Sequence, residues 1–245
     1  MNSLETELKA AQQLDESALA DAIESIGFEC TRCGACCKGY DPDGSTEADD
    51  TNTAEREPHT ATVFPDEVRN LQEAGDYDWR DVARPMPYGL TESEEGLKGE
   101  TFEWALQTDA CGDCTFYTES EDGTGHCGVH DSRPLICQTY PFSVALGGTS
   151  QPMGEPVDSV ALPAQREAGE TGDEQGMLRA HECEGLGRDI SRDEAEELAS
   201  ALKQRAIREI HEAIGVRDNY EPTDSEGVVV YDSEGPKTMA GRPLD

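Results

Sequence analysis

The sequence predicts an α+β fold in which a small, irregular central domain of short strands is flanked by N-terminal and C-terminal helices. Three observations support this prediction. Apolar residues recur at helical spacing near both ends of the chain, and the middle holds only short alternating segments between turn-forming residues. Hydrophobic residues make up 35% of the 245 residues, against roughly 45–50% in an average globular chain when glycine is included. We therefore expect a small hydrophobic core.

Composition divides the chain into an N-terminal helical segment (residues 1–27), a central domain (28–188), a C-terminal helix (189–215) and an extended tail (216–245). Within the central domain, residues 41–59 contain mainly Asp, Glu, Thr and Gly, with no large apolar side chain. Nothing in this stretch offsets the conformational entropy that is lost on ordering. We therefore interpret it as a solvent-exposed acidic insertion.

The first predicted helix covers residues 3–26, with a break near Asp15. Ser3 is expected to cap its first turn, because serine side chains accept backbone hydrogen bonds at helix starts. Gly27 is expected to end it, because glycine is favoured just beyond helix ends. The apolar residues that would form its buried face are Leu4, Leu8, Ala11 and Leu14.

The C-terminal helix is predicted from a capping box, in which Ser191 is followed three residues later by Glu194. Gly215 is expected to end the helix at Ile214. One short strand, Val228–Tyr231, is predicted in the tail. The apolar stripe of the helix consists of Ala195, Leu198, Leu202, Ala206, Ile210 and Ile214.

The central domain shows three weak strand patterns and one helix start. Pro65 predicts a helix over residues 66–74, because proline is favoured in the first turn. Residues 147–176 are rich in Gly, Pro and Glu and are predicted to be a loop. The predicted strands are residues 60–64, 102–106 and 142–146.

The charge of the chain limits its partners and its setting. Aspartate and glutamate total 53 against 19 Lys and Arg, so the formal net charge is −34. Such a field repels phosphate backbones, and we expect no nucleic-acid partner. Dispersed acid and few lysines are typical of a salt-adapted, haloarchaeal-like protein, in which molar salt screens the repulsion. The alternative is an acidic, partly disordered chain.

No membrane association is expected, since the sequence has no apolar run of about 18 residues. The first thirty residues lack a basic stretch followed by an apolar one, which is the pattern of a secretory signal. The sequence therefore predicts a cytoplasmic protein.

Nine cysteines carry the chemical signal of this sequence. Their number is odd and two of them are adjacent, which in a reducing compartment favours metal ligation over a disulfide framework. The alternative is that they are small buried hydrophobic residues. All nine are candidate metal ligands: Cys30, Cys33, Cys36, Cys37, Cys111, Cys114, Cys127, Cys137 and Cys183.

C-x2-C spacing allows two thiolates to reach one ion, because a tight turn folds the chain back between them. Gly34 and Gly112 supply the backbone freedom that such turns need. Because a bound metal would contribute folding free energy, we expect a metal-stapled central domain. Cys183 stands apart, and it is either a core thiol or a ligand. Histidines 126, 130 and 181 neighbour cysteines, but histidines in such positions are more often solvated or hydrogen-bonded than metal-bound.

Two motifs resemble a known family. The first is Cys30-x2-Cys33-Gly-Ala-Cys36-Cys37, and the second runs from Cys127 through Arg-Pro and Cys137 to Tyr-Pro-Phe142. Together they are similar to the CxxCxxCC family of zinc- or iron-chelating domains, also called the YkgJ-type cysteine cluster family. The resemblance covers residues 28–188 and includes Cys183 in a Gly-rich turn.

The chain departs from the family pattern in one place. Where the family has one cysteine before an apolar pair, this sequence has both Cys111 and Cys114, so the choice of ligand between them is open. Arg133 precedes a proline in the second motif, and its five donors suit it to hold loop carbonyls or a carboxylate beside the thiolates. An ordinary surface ion pair is the alternative. Arg32 and Lys38 bracket the first motif and are expected either to offset thiolate charge or to be solvated.

The cofactor is expected to be an iron–sulfur cluster or zinc. Cys36 and Cys37 are adjacent, and neighbouring cysteines seldom reach one ion without strain, which favours either two separate sites or a cluster. We favour the cluster, although the C-x3-C-P continuation of a ferredoxin is missing. The first motif also resembles part of a ferredoxin run, with Cys137 as a possible fourth ligand. Zinc remains the alternative.

Three classes of function are open to such a chain. The first is a metal-binding protein with a redox or regulatory role, and the second is a structural-zinc module that presents a surface to an unknown protein partner. The third is an accessory part of a methyltransferase-type enzyme, which only the family resemblance implies. The sequence contains neither a nucleotide-binding G-x4-G-K-[ST] loop nor an apolar strand leading into a Gly-rich turn. It therefore does not decide whether the chain is an enzyme.

Overall fold

The computed structural model describes residues 3–40, 57–94, 96–146, 156–168, 176–223 and 227–244. These residues form two compact units. The helical unit contains Met1–Thr31 and Leu135–Ile214, and the sheet unit contains Arg32–Pro134 and Gly215–Asp245. The α+β prediction, with helices towards both ends of the chain, is confirmed. Most of the predicted insertion, residues 41–56, lies outside the described residues.

The helices and strands have the following bounds. The helices are α1 (Leu4–Gln12), α2 (Glu16–Ile26), α3 (Pro65–Gly75), α4 (Trp79–Val82), α5 (Leu135–Thr139), α6 (Pro163–Ala168) and α7 (Arg192–Asn219). The strands are β1 (Thr62–Val63), β2 (Ala83–Pro85), β3 (Leu90–Ser93), β4 (Gly96–Phe102), β5 (Trp104–Leu106), β6 (Tyr117–Glu119), β7 (Gly125–Cys127), β8 (Phe142–Val144), β9 (Pro156–Val160), β10 (Leu178–His181), β11 (Val228–Asp232) and β12 (Gly235–Lys237). Two 3-10 turns cover Ala35–Cys37 and His130–Ser132.

The N-terminal helices begin and end where the sequence predicts. The side chain of Ser3 accepts a hydrogen bond from the backbone N–H of Thr6 at 3.3 Å and starts α1. Asp15 marks the predicted break and caps α2, because its carboxylate accepts from the N–H groups of the next turn. Gly27, with φ of 79°, ends α2.

Helix α7 has the predicted start but extends further than predicted. The capping box forms: Glu194 accepts from the N–H of Ser191 at 3.0 Å, and Ser191 accepts from the N–H of Glu194 at 3.3 Å. The predicted end at Ile214 is wrong, because the helix continues through Gly215 to Asn219. A side chain at Gly215 would collide with Ser233, so this glycine permits close packing and does not end the helix.

The helical unit has a continuous hydrophobic core. Its sheet is antiparallel in the order β8-β10-β9, so that Leu178 of β10 lies opposite Val144 and Val160. The loop predicted at 147–176 is wrong within its described part, which contains β9 and α6. The largest buried side chains of this core are Leu19, Ile23, Phe142, Leu178, Leu202 and Ile210.

The sheet unit contains a four-stranded sheet in the order β12-β11-β4-β3. The predicted strand at Val228–Tyr231 is confirmed as β11, which is buried along its whole length and pairs in parallel with β4. The tail is therefore built into the unit. The strand predicted at 102–106 is divided at Glu103, whose φ of 81° breaks the chain into β4 and β5.

Two smaller sheets complete the unit. Strands β1, β5 and β2 form a three-stranded antiparallel sheet, and β6 pairs with β7 in a hairpin. The predicted helix after Pro65 is confirmed as α3, with the proline in its first turn.

A buried ion pair fastens the tail to the core of the sheet unit. The ammonium of Lys237 lies 2.7 Å from the carboxylate of Asp232, and both side chains are almost fully buried. Asp232 also accepts a hydrogen bond from the indole N–H of Trp104 at 2.8 Å. Lys237 lies 5.5 Å from the ring centre of Trp79, which packs edge-on against Trp104. Each charge in this cluster therefore has a partner.

The substitution Lys237→Met should lower the free energy of unfolding of the sheet unit by about 3–5 kcal/mol, because it leaves the buried carboxylate of Asp232 without its counter-charge. Urea unfolding in molar salt, followed by tryptophan fluorescence, measures this unit because both tryptophans belong to it. Lys98→Met, at an exposed position on β4, is the control and should change stability by less than about 0.5 kcal/mol. Equal effects of the two substitutions would contradict the prediction.

Candidate metal centre

The first cysteine loop of the sheet unit folds as a tight turn. Gly34 has φ of 77° and begins the 3-10 turn, in which the N–H of Cys37 donates to the carbonyl of Gly34 at 2.8 Å. The turn places the sulfur of Cys36 3.8 Å from that of Cys37, while both remain free thiols. Cys33, on the other side of Gly34, is half-buried.

The second loop is built on an aspartate. The carboxylate of Asp109 accepts from the N–H groups of Cys111 at 2.8 Å and Asp113 at 3.0 Å, which closes the turn that the C-x2-C spacing predicts. Gly112 has φ of 83° within it. The turn leaves Cys111 exposed and buries Cys114, which is the only buried cysteine among the nine.

Main-chain hydrogen bonds join these loops to each other and to the β6–β7 hairpin. The N–H of Cys114 donates to the carbonyl of Cys37 at 2.8 Å. Gly125 lies two residues before Cys127, and its N–H donates to the carbonyl of Arg32 at 2.7 Å. Within this unit, the backbone of the first cysteine loop therefore contacts both the turn of Cys114 and the hairpin that carries Cys127.

Two thiols of this cluster, those of Cys36 and Cys114, have raised pKa values. Burial, with smaller contributions from Cys127 and Cys36, raises the pKa of Cys114 to about 11. The hydrogen bond with the Cys37 thiol, together with burial of the sulfur, raises the pKa of Cys36. Arg133 acts in the opposite direction on the pKa of Cys36, because a nearby positive charge favours the thiolate.

Arg133 is otherwise held by its own loop, since its Nε donates to the carbonyl of His130 at 3.0 Å. Its closeness to Cys36 is compatible with the predicted supporting role. Arg32 is exposed, and Lys38 forms an ion pair with Glu119.

The remaining three cysteines lie in the helical unit. The segment of Cys30 is joined to the turn of Cys183 by a hydrogen bond from Glu29 N–H to the carbonyl of Gly185 at 3.0 Å. The sulfur of Cys183 accepts from the N–H of Gly185 at 3.4 Å. Cys137 is half-buried on α5.

The side chains of the described residues, which include all nine cysteines, contain no group of three or more His, Cys, Asp or Glu arranged to hold an ion. The structure thus brings the sulfur of Cys36 against that of Cys37 and joins the backbone of Cys114 to that of Cys37. The complete ligand set stays a prediction. The donors fit a thiophilic metal in kind, because thiolates are preferred ligands of zinc and of iron in clusters.

The histidines next to cysteines have other roles or are exposed. His126 is exposed, and His130 is exposed beside Asp131. His181 is buried, with its Nε2 2.8 Å from the hydroxyl of Ser143.

Sequence reasoning missed the residues that hold the loops together. His59 was assigned to the insertion, yet its N–H donates to the carbonyl of Gly112 at 2.7 Å, and burial together with Arg84 lowers its pKa to about 4. Asp113 accepts from the N–H of Gly39 at 2.8 Å. The Asp-x3-Asp spacing around Gly112 was the available signal, since aspartate commonly closes turns in this way.

Residues 29–184, more than half of the chain, match the CxxCxxCC family, described as "Putative zinc- or iron-chelating domain". The chain therefore belongs to this family, as its cysteine motifs predicted. No curated protein and no solved structure gave a match. Within the described residues, no helix combines the length and the apolar composition needed to cross a membrane.

Metal affinity should weaken as the pH falls. Because the pKa values of Cys36 and Cys114 are raised, both thiols carry protons at neutral pH, and a metal has to displace them. Below the pKa of Cys114, the logarithm of the binding constant should rise with pH by about one per displaced proton per pH unit. Zinc competition with a chelator at several pH values measures the slope. Cys111→Ala, which removes an exposed thiol, should leave the slope unchanged, whereas a pH-independent constant in the wild type would contradict the prediction.

Proposed function

We propose that this chain is a metal-binding protein that holds one ion in a tetrahedral thiolate site formed by Cys36, Cys37, Cys114 and Cys127. The 3.8 Å separation of the Cys36 and Cys37 sulfurs carries the proposal. In a tetrahedral site with metal–sulfur distances of about 2.3 Å, neighbouring sulfurs lie about 3.8 Å apart. The observed pair therefore has the spacing of one edge of such a tetrahedron.

The other two thiols supply the remaining corners. Cys114 is buried beneath the first loop and is bonded through its N–H to Cys37. Cys127 and Cys36 both contribute electrostatically to the raised pKa of Cys114, which supports their closeness to it. The loops that carry these four thiols are already joined through their backbones, and completing the site requires the side chains to converge on the ion.

The role that this site supports best is structural or regulatory. The three loops are polar and contribute few buried apolar side chains, so a bound ion would supply folding free energy that the local sequence lacks. Positive charge beside the thiolates comes from Arg133, which favours ionisation of Cys36. Family membership supports chelation of zinc or iron in general terms.

An iron–sulfur cluster, with a redox or regulatory role, is the second candidate. The adjacency of Cys36 and Cys37 favours it, since neighbouring cysteines seldom reach one ion without strain, whereas the 3.8 Å separation of their sulfurs favours one ion. Zinc would fit the alternative role of an interaction module that presents a surface to a protein partner. The net charge of −34 supports a function without nucleic acid.

Purification without oxygen, followed by metal and acid-labile sulfide analysis and visible absorption, distinguishes these candidates. Our proposal expects one zinc or one iron per chain in this site and no sulfide. Iron with an equal amount of sulfide would establish the cluster instead. A protein that retains no metal and takes up neither zinc nor iron would refute both.

Cys114→Ser should remove the metal of this site, whereas Cys111→Ser should leave the metal content unchanged. Cys114 is buried against Cys37, and a hydroxyl is a poor replacement for a thiolate. Cys111 is exposed on the same turn and serves as the matched control. The measurement is metal per polypeptide after purification without oxygen. Loss in the Cys111 variant with retention in the Cys114 variant would reverse the assignment.

A further inference from the structure

The ring of Tyr117 lies across both of the glycines that flank the candidate site. Tyr117 pairs with Cys127 in the β6–β7 hairpin. A Cβ atom on Gly34 would overlap the hydroxyl of Tyr117, and one on Gly125 would lie 2.9 Å from its Cε2 atom. Both glycines are buried. One ring therefore packs against the first cysteine loop and against the strand that carries Cys127.

The residue that follows the cysteine loop packs on the same ring. The ammonium of Lys38 lies 5.4 Å from the ring centre of Tyr117 and forms an ion pair with Glu119. The hydroxyl of Tyr117 donates to the same carboxylate at 2.6 Å. Lys38, Tyr117 and Glu119 thus form a closed set of contacts at the end of the loop, which we call the tyrosine clamp.

The clamp contacts the middle of the first cysteine loop, at Gly34, whereas main-chain hydrogen bonds to other segments lie at the ends of the loop. Hydrogen bonds hold the loop at its ends, through the carbonyls of Arg32 and Cys37. Between these ends, the 3-10 turn has one internal hydrogen bond, from the N–H of Cys37 to the carbonyl of Gly34. Gly34 also packs against the ring of Tyr117. The position of that ring therefore sets how closely the turn approaches the hairpin.

Ring packing is the dominant part of the clamp. The Lys38 and Glu119 side chains are 34% and 39% exposed, and exposed ion pairs contribute little and are weakened further by salt. Contact between the buried glycines and the aromatic ring has no such dependence on salt. The shape of the ring should therefore matter more than its hydroxyl.

We propose that Tyr117 is a positioning residue for the metal centre, and that its ring sets how closely the loop of Cys36 and Cys37 approaches the hairpin that carries Cys127. The inference rests on the proposed function, but it concerns a residue that supplies no ligand. Residues that orient ligands commonly change metal affinity by about 10–100-fold when they are replaced.

The test uses Co²⁺ as the probe, because its visible absorption reports tetrahedral thiolate geometry. Tyr117→Ala should weaken Co²⁺ binding by at least about tenfold and change the absorption bands. Tyr117→Phe keeps the ring and should restore both affinity and spectrum to within about threefold of the wild type. Tyr220→Ala is the matched control, since Tyr220 is a half-exposed tyrosine of the same unit that also contacts a carboxylate, that of Glu100. It should leave binding and spectrum unchanged.

A second pair of variants keeps the test decisive if Tyr117→Ala fails to fold. Gly34→Ala places a methyl group against the ring and should weaken Co²⁺ binding, whereas Gly123→Ala should not. Both glycines have positive φ, of 77° and 82°, but a side chain at Gly123 would meet open space. The comparison therefore separates contact with the ring from backbone strain.

Three outcomes would contradict the proposed positioning role of Tyr117. Wild-type affinity and spectrum in Tyr117→Ala would overturn the positioning role and leave the proposed function intact. Equal weakening by Gly34→Ala and Gly123→Ala would assign the effect to backbone strain. Absence of thiolate-bound Co²⁺ in the wild type would refute the proposed function, and the positioning role with it.

Discussion

The hydrogen bond from the N–H of Cys114 to the carbonyl of Cys37 is the contact on which the candidate site depends. It joins two polar turns that lie more than seventy positions apart in sequence and that have little apolar surface to hold them together. By fixing backbone and not side chains, it leaves the sulfurs free to adjust around an ion. On the turn that this bond joins to the first loop, Cys114 is buried and Cys111 is exposed.

The two units are stabilised by different means. The helical unit has an ordinary core of leucine, isoleucine and alanine side chains on α1, α2 and α7. The sheet unit combines a core that contains two tryptophans with the buried ion pair of Lys237 and Asp232 beside them. Buried ion pairs rarely contribute more than well-packed apolar groups would. A thiolate-bound metal would add its folding free energy at the polar cysteine loops of the sheet unit.

Charge gives the thiol cluster an unusual setting. Four thiolates around a divalent ion carry an excess of two negative charges, in a chain whose formal charge is already −34. Two cations lie in this region. Arg133 favours ionisation of Cys36, and Lys38 lies over the ring of Tyr117. High salt would screen the distant acidic residues but would affect the metal–thiolate bonds far less.

The sequence by itself determined the local features of the backbone, namely the helix caps, one helix break and one tight turn. Caps at Ser3 and Ser191, the break at Asp15 and the turn that C-x2-C spacing demands all formed as predicted, because each is decided within a few positions. The tertiary structure alone decided the rest: the parallel pairing of β11 with β4, the division of a strand at Glu103, and the packing of Tyr117 on Gly34. These contacts join residues far apart in the chain, where local preference carries no information about which partner will lie alongside. Spacing could therefore name the thiols, but only packing decided that Cys114 is buried and Cys111 exposed.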